Sequence, residues 1–188
     1  GDNIETDEVL LSQMKYDVLG QNLDKKELHV NGVNSLQEVN YDYNIKGWLK
    51  EINAPNTFDM TLAYNTGANP QHNGNISEIS WTSNGLDQKY EYTYDPLNRI
   101  KTAIYSNITN TANSNGFNLD LVNYDDNGNI LNLTRKGCND SNLKGIIDDL
   151  QYSYSGNKLL SVQDDAPASL KSKGFLDGQS SSIEYQYD

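Results

Sequence analysis

Carboxylates come first among residues that could do chemistry, because a pair can hydrolyse a glycoside and a cluster can hold calcium. Asp17, Asp95 and Asp125 each follow a tyrosine, in Tyr16-Asp17-Val18-Leu19-Gly20, Tyr94-Asp95-Pro96-Leu97-Asn98 and Tyr124-Asp125-Asp126-Asn127-Gly128. An Asp in that place opens a tight turn by accepting the backbone N–H two residues on, and this role is preferred to catalysis. The run from Asp125 to Asn129 lacks the spacing of a calcium loop and its closing Glu. His29 and His72 are the only histidines and Cys138 the only cysteine, with no metal-ligand spacing among them. There is no G-x-S-x-G nucleophile elbow, phosphate loop or dinucleotide fingerprint. No catalytic residue, metal or cofactor is therefore expected. Trp48 and Trp81 are the residues best suited to stack on a sugar; the alternative is that they pack on a sheet. Four asparagines, Asn75, Asn107, Asn132 and Asn139, begin glycosylation sequons, as chance allows in an Asn-rich chain.

The elements that must carry these residues are hairpins. Tyr90, Tyr92 and Tyr94 alternate, the period of a half-buried strand. Asp95 and Pro96 suit the opening of a turn, and Asn98 tolerates the left-handed conformation at its exit. Ile100, Ala103 and Ile104 then start a return strand. The same word recurs as Tyr16-Asp17…Gly20, Tyr43-Asn44…Gly47, Tyr124-Asp125…Gly128 and, one residue shorter, Tyr154-Ser155-Gly156. Tyr64-Asn65 opens a further copy whose turn carries an insertion before Gly74-Asn75-Ile76. Tyrosines 64, 94, 124 and 154 lie 30 residues apart, a spacing that signals a repeat architecture. The shared pattern is Tyr-[Asp/Asn]-x-x-[Gly/Asn]-x-[Leu/Ile], and hairpin turns are predicted at 17–20, 44–47, 95–98, 125–128 and 155–156.

This pattern resembles the YD repeat of the RHS family. The Tyr-Asp pairs, the turn glycine and the following Leu or Ile carry the resemblance from about Tyr16 to Asp188. The stretch LQEVNYDYNIKGWLKEIN, residues 36–53, resembles RHS proteins of Bacteroidetes bacteria in particular. The resemblance implies an all-β fold, with tandem hairpins joined in a long, twisted, curved antiparallel sheet that forms a segment of an RHS β-shell. It also implies a structural, non-enzymatic role in a large secreted or cell-surface bacterial protein. Such shells wall off or present a C-terminal toxin or effector domain. The partners would be the remainder of the same polypeptide and its C-terminal cargo. A module binding cell-surface carbohydrate or another surface ligand is the alternative.

Composition limits the other classes. The 188 residues carry a net charge of −12, and no Lys/Arg cluster is present to displace the counterions of a nucleic acid. The same charge disfavours an anionic membrane surface, and no apolar run reaches the roughly 20 residues that span a bilayer. Only 36% of residues are hydrophobic, but 13 are tyrosines, which bury a ring while keeping a polar tip. A disordered chain would have few aromatics.

The whole chain, 1–188, reads as one repeat segment of about six hairpins. Residues 1–9 are expected to be frayed, and a seventh copy is cut at 187–188. Asn31-Gly32 is a turn signal. Residues 107–118 and 137–149 read as connections, with Ile146 and Ile147 anchoring the second on the sheet. Residues 164–182 read as the longest irregular stretch, with room for one helical turn. The return strands share apolar pairs three apart: Leu49/Ile52, Ile76/Ile79, Ile100/Ala103, Ile130/Leu133 and Leu159/Val162. A regular strand would put each pair on opposite faces. A bulge after the first residue would return both to one face, and is preferred to a sheet covered on both sides. Residues 180–188, SSSIEYQYD, read as the incoming arm of the truncated hairpin. They would leave an open edge through which the chain associates as salt rises.

Overall fold

The computed structural model describes residues 9–20, 22–30, 34–176, 178 and 181–187. The expected fraying of 1–9 lies outside these apart from the exposed Val9. The Asn31-Gly32 turn and Asp188 also lie outside them. Among the described residues twelve strands form one sheet in sequence order: β1 (Ser12–Tyr16), β2 (Leu23–Val30), β3 (Asn34–Tyr43), β4 (Leu49–Ala54), β5 (Phe58–Ala63), β6 (Glu78–Ser83), β7 (Leu86–Tyr94), β8 (Ile100–Asn107), β9 (Leu119–Tyr124), β10 (Ile130–Cys138), β11 (Lys144–Ser155) and β12 (Lys158–Asp164). An α-helical turn, α1, is Ala168–Lys171, and a 3-10 turn spans Thr111–Asn113. The fold is all-β and antiparallel, as expected.

The chain divides into two units, residues 1–63 with 79–87, and residues 64–78 with 88–188. In the first unit, β1 to β5 pair each with the next. The turn between β6 and β7, which lies in this unit, has Asn84 at φ 51° and Gly85 at φ 72°, the two positive φ values of a type I′ hairpin loop. Thr82 Oγ1 and Asp87 Oδ1 close that turn at 2.6 Å. Among the described residues of the first unit the buried apolar ones are Ala54 and Leu62, and β1 is exposed along its whole length.

The second unit holds β8 to β12 and most of β7. Its buried apolar residues include Ala103, Tyr105, Val122, Ile147, Leu150 and Val162. Part of this core is roofed by the strap that follows β12. Leu170 of α1 is 4% exposed, and a Cβ built on Gly145 would lie 2.6 Å from its Cδ1. The Asn-rich connection 108–118 is ordered by side chains that replace strand partners. Asn118 Oδ1 accepts the Tyr105 N–H at 2.9 Å, and the Asn118 carbonyl accepts the Lys136 N–H at 2.8 Å. Asn107 Oδ1 accepts the Asn110 N–H at 2.6 Å.

The bulge is present in the copies that open at Tyr16, Tyr43, Tyr94, Tyr124 and Tyr154. Tyr94 pairs with Ile100, but Thr93 pairs with Thr102, so Lys101 is the extra residue. Tyr43 pairs with Leu49 and Asp42 with Glu51. Tyr124 pairs with Ile130 and Asn123 with Asn132. Tyr154 pairs with Leu159 and Ser153 with Ser161. Ala103 consequently faces Tyr92 while Ile100 faces Tyr94. Since Tyr92 and Tyr94 lie on one face, both apolar residues do too. In the first copy Leu23 takes the apolar place opposite Tyr16, beyond a turn one residue longer.

Two expectations need correction. Residues 137–149 are mostly strand: β10 runs to Cys138 and β11 starts at Lys144. A further turn joins them, in which Asn139 Oδ1 accepts the N–H groups of Ser141 and Leu143, both at 3.0 Å, and Asn142 takes φ 58°. The turn uses Asn at both ends, as other copies do singly at Asn44 and Asn98, but no tyrosine precedes it. The second correction is at the outer edge of β12, where 181–187 is not a strand. The Glu184 N–H donates to the Leu160 carbonyl at 2.7 Å, and Glu184 Oε2 accepts the Val162 N–H at 3.1 Å. This edge is covered in part by the chain itself, which removes the basis for an open strip there.

Candidate functional site

The residues singled out by the repeat form two hydrogen-bonded systems, one inside each turn and one between turns. Inside the turn, Asp95 Oδ1 accepts the N–H groups of Leu97 and Arg99 at 2.9 Å each, and Oδ2 takes Arg99 Nε at 2.6 Å. Asp125 repeats this with the N–H groups of Asn127 (2.9 Å) and Asn129 (2.8 Å), and with Asn129 Nδ2 (2.8 Å). Asn44 does the same for the N–H groups of Lys46 and Trp48. Asp17 takes the Leu19 N–H at 3.1 Å and Asn22 Nδ2 at 2.9 Å. The left-handed exit falls on Gly20, Gly47, Asn98 and Gly128, and on Gly74 at φ 105° in the copy with the insertion. The shorter loop has Gly156 at φ 61°.

These bonds stabilise the ionised carboxylates. Donation from the Asn129 amide, aided by the turn N–H groups, lowers the pKa of Asp125. At Asp95 desolvation pushes upward, but the Arg99 and Leu97 donors outweigh it and the pKa is lowered. Carboxylates saturated by their own turns are poorly placed to transfer protons or to ligate calcium.

Between turns, the motif tyrosine bonds backward to the preceding copy. The hydroxyl of Tyr43 donates to the Leu23 carbonyl (3.1 Å), Tyr94 to Ile76 (2.8 Å), Tyr124 to Ile100 (2.8 Å) and Tyr154 to Ile130 (2.9 Å). Each acceptor is the apolar residue that closes the motif, and Leu23, Ile100 and Ile130 stand just before a bulge. The bulge interrupts regular pairing, and the phenol satisfies a carbonyl beside that interruption. Tyrosine and Leu/Ile thus belong to one joint built from two consecutive copies. A second row runs between turn tips. Asn75 Nδ2 donates to the Asn98 carbonyl (3.3 Å), Arg99 Nη1 to the Asp125 carbonyl (3.1 Å) and Asn129 Nδ2 to Asn157 Oδ1 (3.0 Å). Arg99 also lies 4.4 Å from the centroid of the Tyr124 ring. The inserted turn is held by the Gln71 N–H on the Tyr64 carbonyl (2.6 Å) and by Ser77 Oγ on the Thr66 carbonyl (2.8 Å), with Asn65 at its start.

Trp48 and Trp81 are both half-buried and lie on separate elements, Trp48 beside the 44–47 turn and Trp81 within β6. The Lys46 ammonium sits 4.6 Å from the Trp48 ring centroid. His29 Nε2 lies 3.3 Å from Glu27 Oε2, His72 is exposed in the inserted loop, and Cys138 ends β10. Among the described residues no group of three or more His, Cys, Asp or Glu could hold a metal.

Two buried carboxylates were not singled out by sequence. Asp148, 2% exposed, pairs with Arg135 Nε at 2.5 Å and accepts the Phe175 N–H at 2.5 Å. Asp164 accepts the N–H groups of Asp149 and Ala166, both at 3.0 Å. Both carboxylates hold the strap against β11 and β12. Nothing local in the sequence marks them, because their partners lie on other strands or beyond β12. An open cleft of about 670 Å³ beside β12 is lined by polar residues that include Ser153, Ser161, Gln163 and Lys171.

No family model matches the chain, and no curated protein matches it. Among solved structures it is similar to a chain in the crystal structure of TcdB2-TccC3-Cdc42, with a TM-score of 0.64 and 18% sequence identity. The match covers 84% of this chain and 8% of that one. At that identity the likeness concerns the fold, and the fold it supports is the antiparallel sheet of successive hairpins described above.

Proposed function

We propose that this chain is a length of wall from a large secreted or cell-surface bacterial protein of the RHS kind. Its role is structural and non-enzymatic: with the rest of its polypeptide it walls off or presents a C-terminal toxin or effector domain. The observation that carries this reading is the set of four tyrosine–carbonyl joints, each of which ties a hairpin to the copy before it. A hydrogen-bonded sheet extended by repetition suits a barrier, and the fold likeness to TcdB2-TccC3 supports it.

The test uses the parent polypeptide. Limited proteolysis should leave the domain after the repeats intact, and Gly47→Val with Gly128→Val should make it cleavable. Equal cleavage with and without the turn changes overturns the reading. Carbohydrate binding is less well supported, because the Lys46 ammonium stands over the Trp48 ring that a sugar would need. A glycan array with Trp48→Ala and Trp81→Ala controls decides it; binding lost in both variants would favour the carbohydrate module.

A further inference from the structure

The edge of β12 is met by a segment that stands in the register of a strand without being one. The preceding pair of strands supplies the template. There Leu133 of β10 pairs with Leu150 of β11, and Tyr154, further along β11, donates to the Ile130 carbonyl. Leu159 and Val162 occupy the places of Ile130 and Leu133, each pair flanking its bulge. Ile183 and Tyr187 have the same separation as Leu150 and Tyr154. The template therefore pairs Val162 with Ile183, sets Leu160 opposite Tyr185, and brings the Tyr187 hydroxyl to the Leu159 carbonyl.

Part of this arrangement already exists. The Tyr185 N–H reaches the Leu160 carbonyl at 3.2 Å, as the template requires, and shares it with the Glu184 N–H at 2.7 Å, a bond that strand addition must release. The remainder is blocked by two side chains. Val162 N–H, which should meet the Ile183 carbonyl, donates to Glu184 Oε2 at 3.1 Å. The Ile183 carbonyl accepts the Ser181 hydroxyl at 2.8 Å. Each half of the missing backbone bond is thus satisfied by a side-chain substitute. Tyr187 lies with its ring 5.4 Å from Lys158 Nζ.

We infer that residues 181–187 are a latch: Glu184 and Ser181 hold this segment unzipped at the β12 edge, and its release lets 183–187 add as a thirteenth strand in the tyrosine-joint register. This goes beyond the wall reading: one tyrosine joint serves as its template, and the contacts of 181–187 carry it. The latch keeps a sheet edge from pairing at random while holding the correct strand one step from docking.

The test is amide hydrogen exchange by NMR on the full chain, comparing wild type with Ser181→Ala/Glu184→Ala. If the latch is right, the Val162 amide stays protected in the double variant, because the Ile183 carbonyl replaces the carboxylate. The Ile183 amide then slows about tenfold or more. If Glu184 and Ser181 merely cap the edge, the Val162 amide exchanges faster in the variant and Ile183 stays fast, which overturns the inference. Adding Tyr187→Phe should reverse the new protection of Ile183; protection unchanged by it would overturn the proposed tyrosine register. Unchanged exchange at Val122 in all variants establishes that the sheet remains folded.

Discussion

Tyr43 in the first unit and Tyr124 in the second make the same joint in different surroundings. Each donates its hydroxyl to the carbonyl that precedes the neighbouring bulge. Around Tyr124 the unit has buried Ala103, Tyr105 and Val122, and a strap pinned by Asp148 roofs part of the sheet. The first unit buries Ala54 and Leu62 and leaves Met14, Tyr16 and Leu28 exposed. Its polar face carries ion pairs such as Lys25–Glu38 and Lys50–Asp42, which contribute little at a surface. The comparison separates two things that a repeat usually confounds. The joints and turns set which strand lies beside which. Burial, supplied unevenly, sets how firmly each region holds.

Four substitution experiments and one titration can break that separation. The largest effect is expected where the strap meets the sheet. A Cβ at position 174 would stand 2.1 Å from Asp148 Oδ1 and 2.2 Å from the Ile147 carbonyl oxygen, so Gly174→Ala should cost about 3 kcal/mol. Denaturant melts, with proteolysis near Leu170, measure it. Next is a matched pair: Val122→Ala, at a site 2% exposed, should cost roughly 2–3 kcal/mol, and Val39→Ala, half-buried, below about 1 kcal/mol. Equal losses would show that the first unit is as firmly held as the second.

Gly128→Val forces a β-branched residue to φ 91° and should cost about 2 kcal/mol, with Asp126→Asn near zero in the same melting series. Tyr43→Phe and Tyr124→Phe should each cost about 1 kcal/mol. Here similar values support a common joint, and a large excess at Tyr124 would mean that burial governs the joint as well. The smallest effect at neutral pH is the titration. Desolvation raises the Tyr92 pKa to about 12 and raises those of Tyr90 and Tyr152. The unfolded chain then loses these protons first, so stability is intact below about pH 10 and falls as pH rises toward 12. Melting temperature against pH, with tyrosinate absorbance alongside, checks the sign.

Much of the fold was legible because its signals are local. Tyr, Asp, Gly and a following Leu or Ile lie within one turn, and the apolar pairs three apart foretold the bulge. The joint was legible only as a list of its parts. The Tyr154 hydroxyl and the Ile130 carbonyl are 24 residues apart, and no spacing rule announces that the motif's first residue bonds to the last residue of the preceding copy. The 139–143 turn was missed because Cys138 stands where the motif has its tyrosine, although Asn139 and Asn142 fit the rest of the pattern. Asp148 and Asp164 were passed over because an isolated aspartate reads as surface until its distant donors are known.

The strand order carries a mechanical consequence. Since β1 to β12 lie side by side in the order of the chain, a pull on the last strand does not load the sheet as a whole. It opens the outermost pair, then the tyrosine joint behind it, then the next pair. Such a sheet can be unravelled from its edge one hairpin at a time by a modest, sustained force.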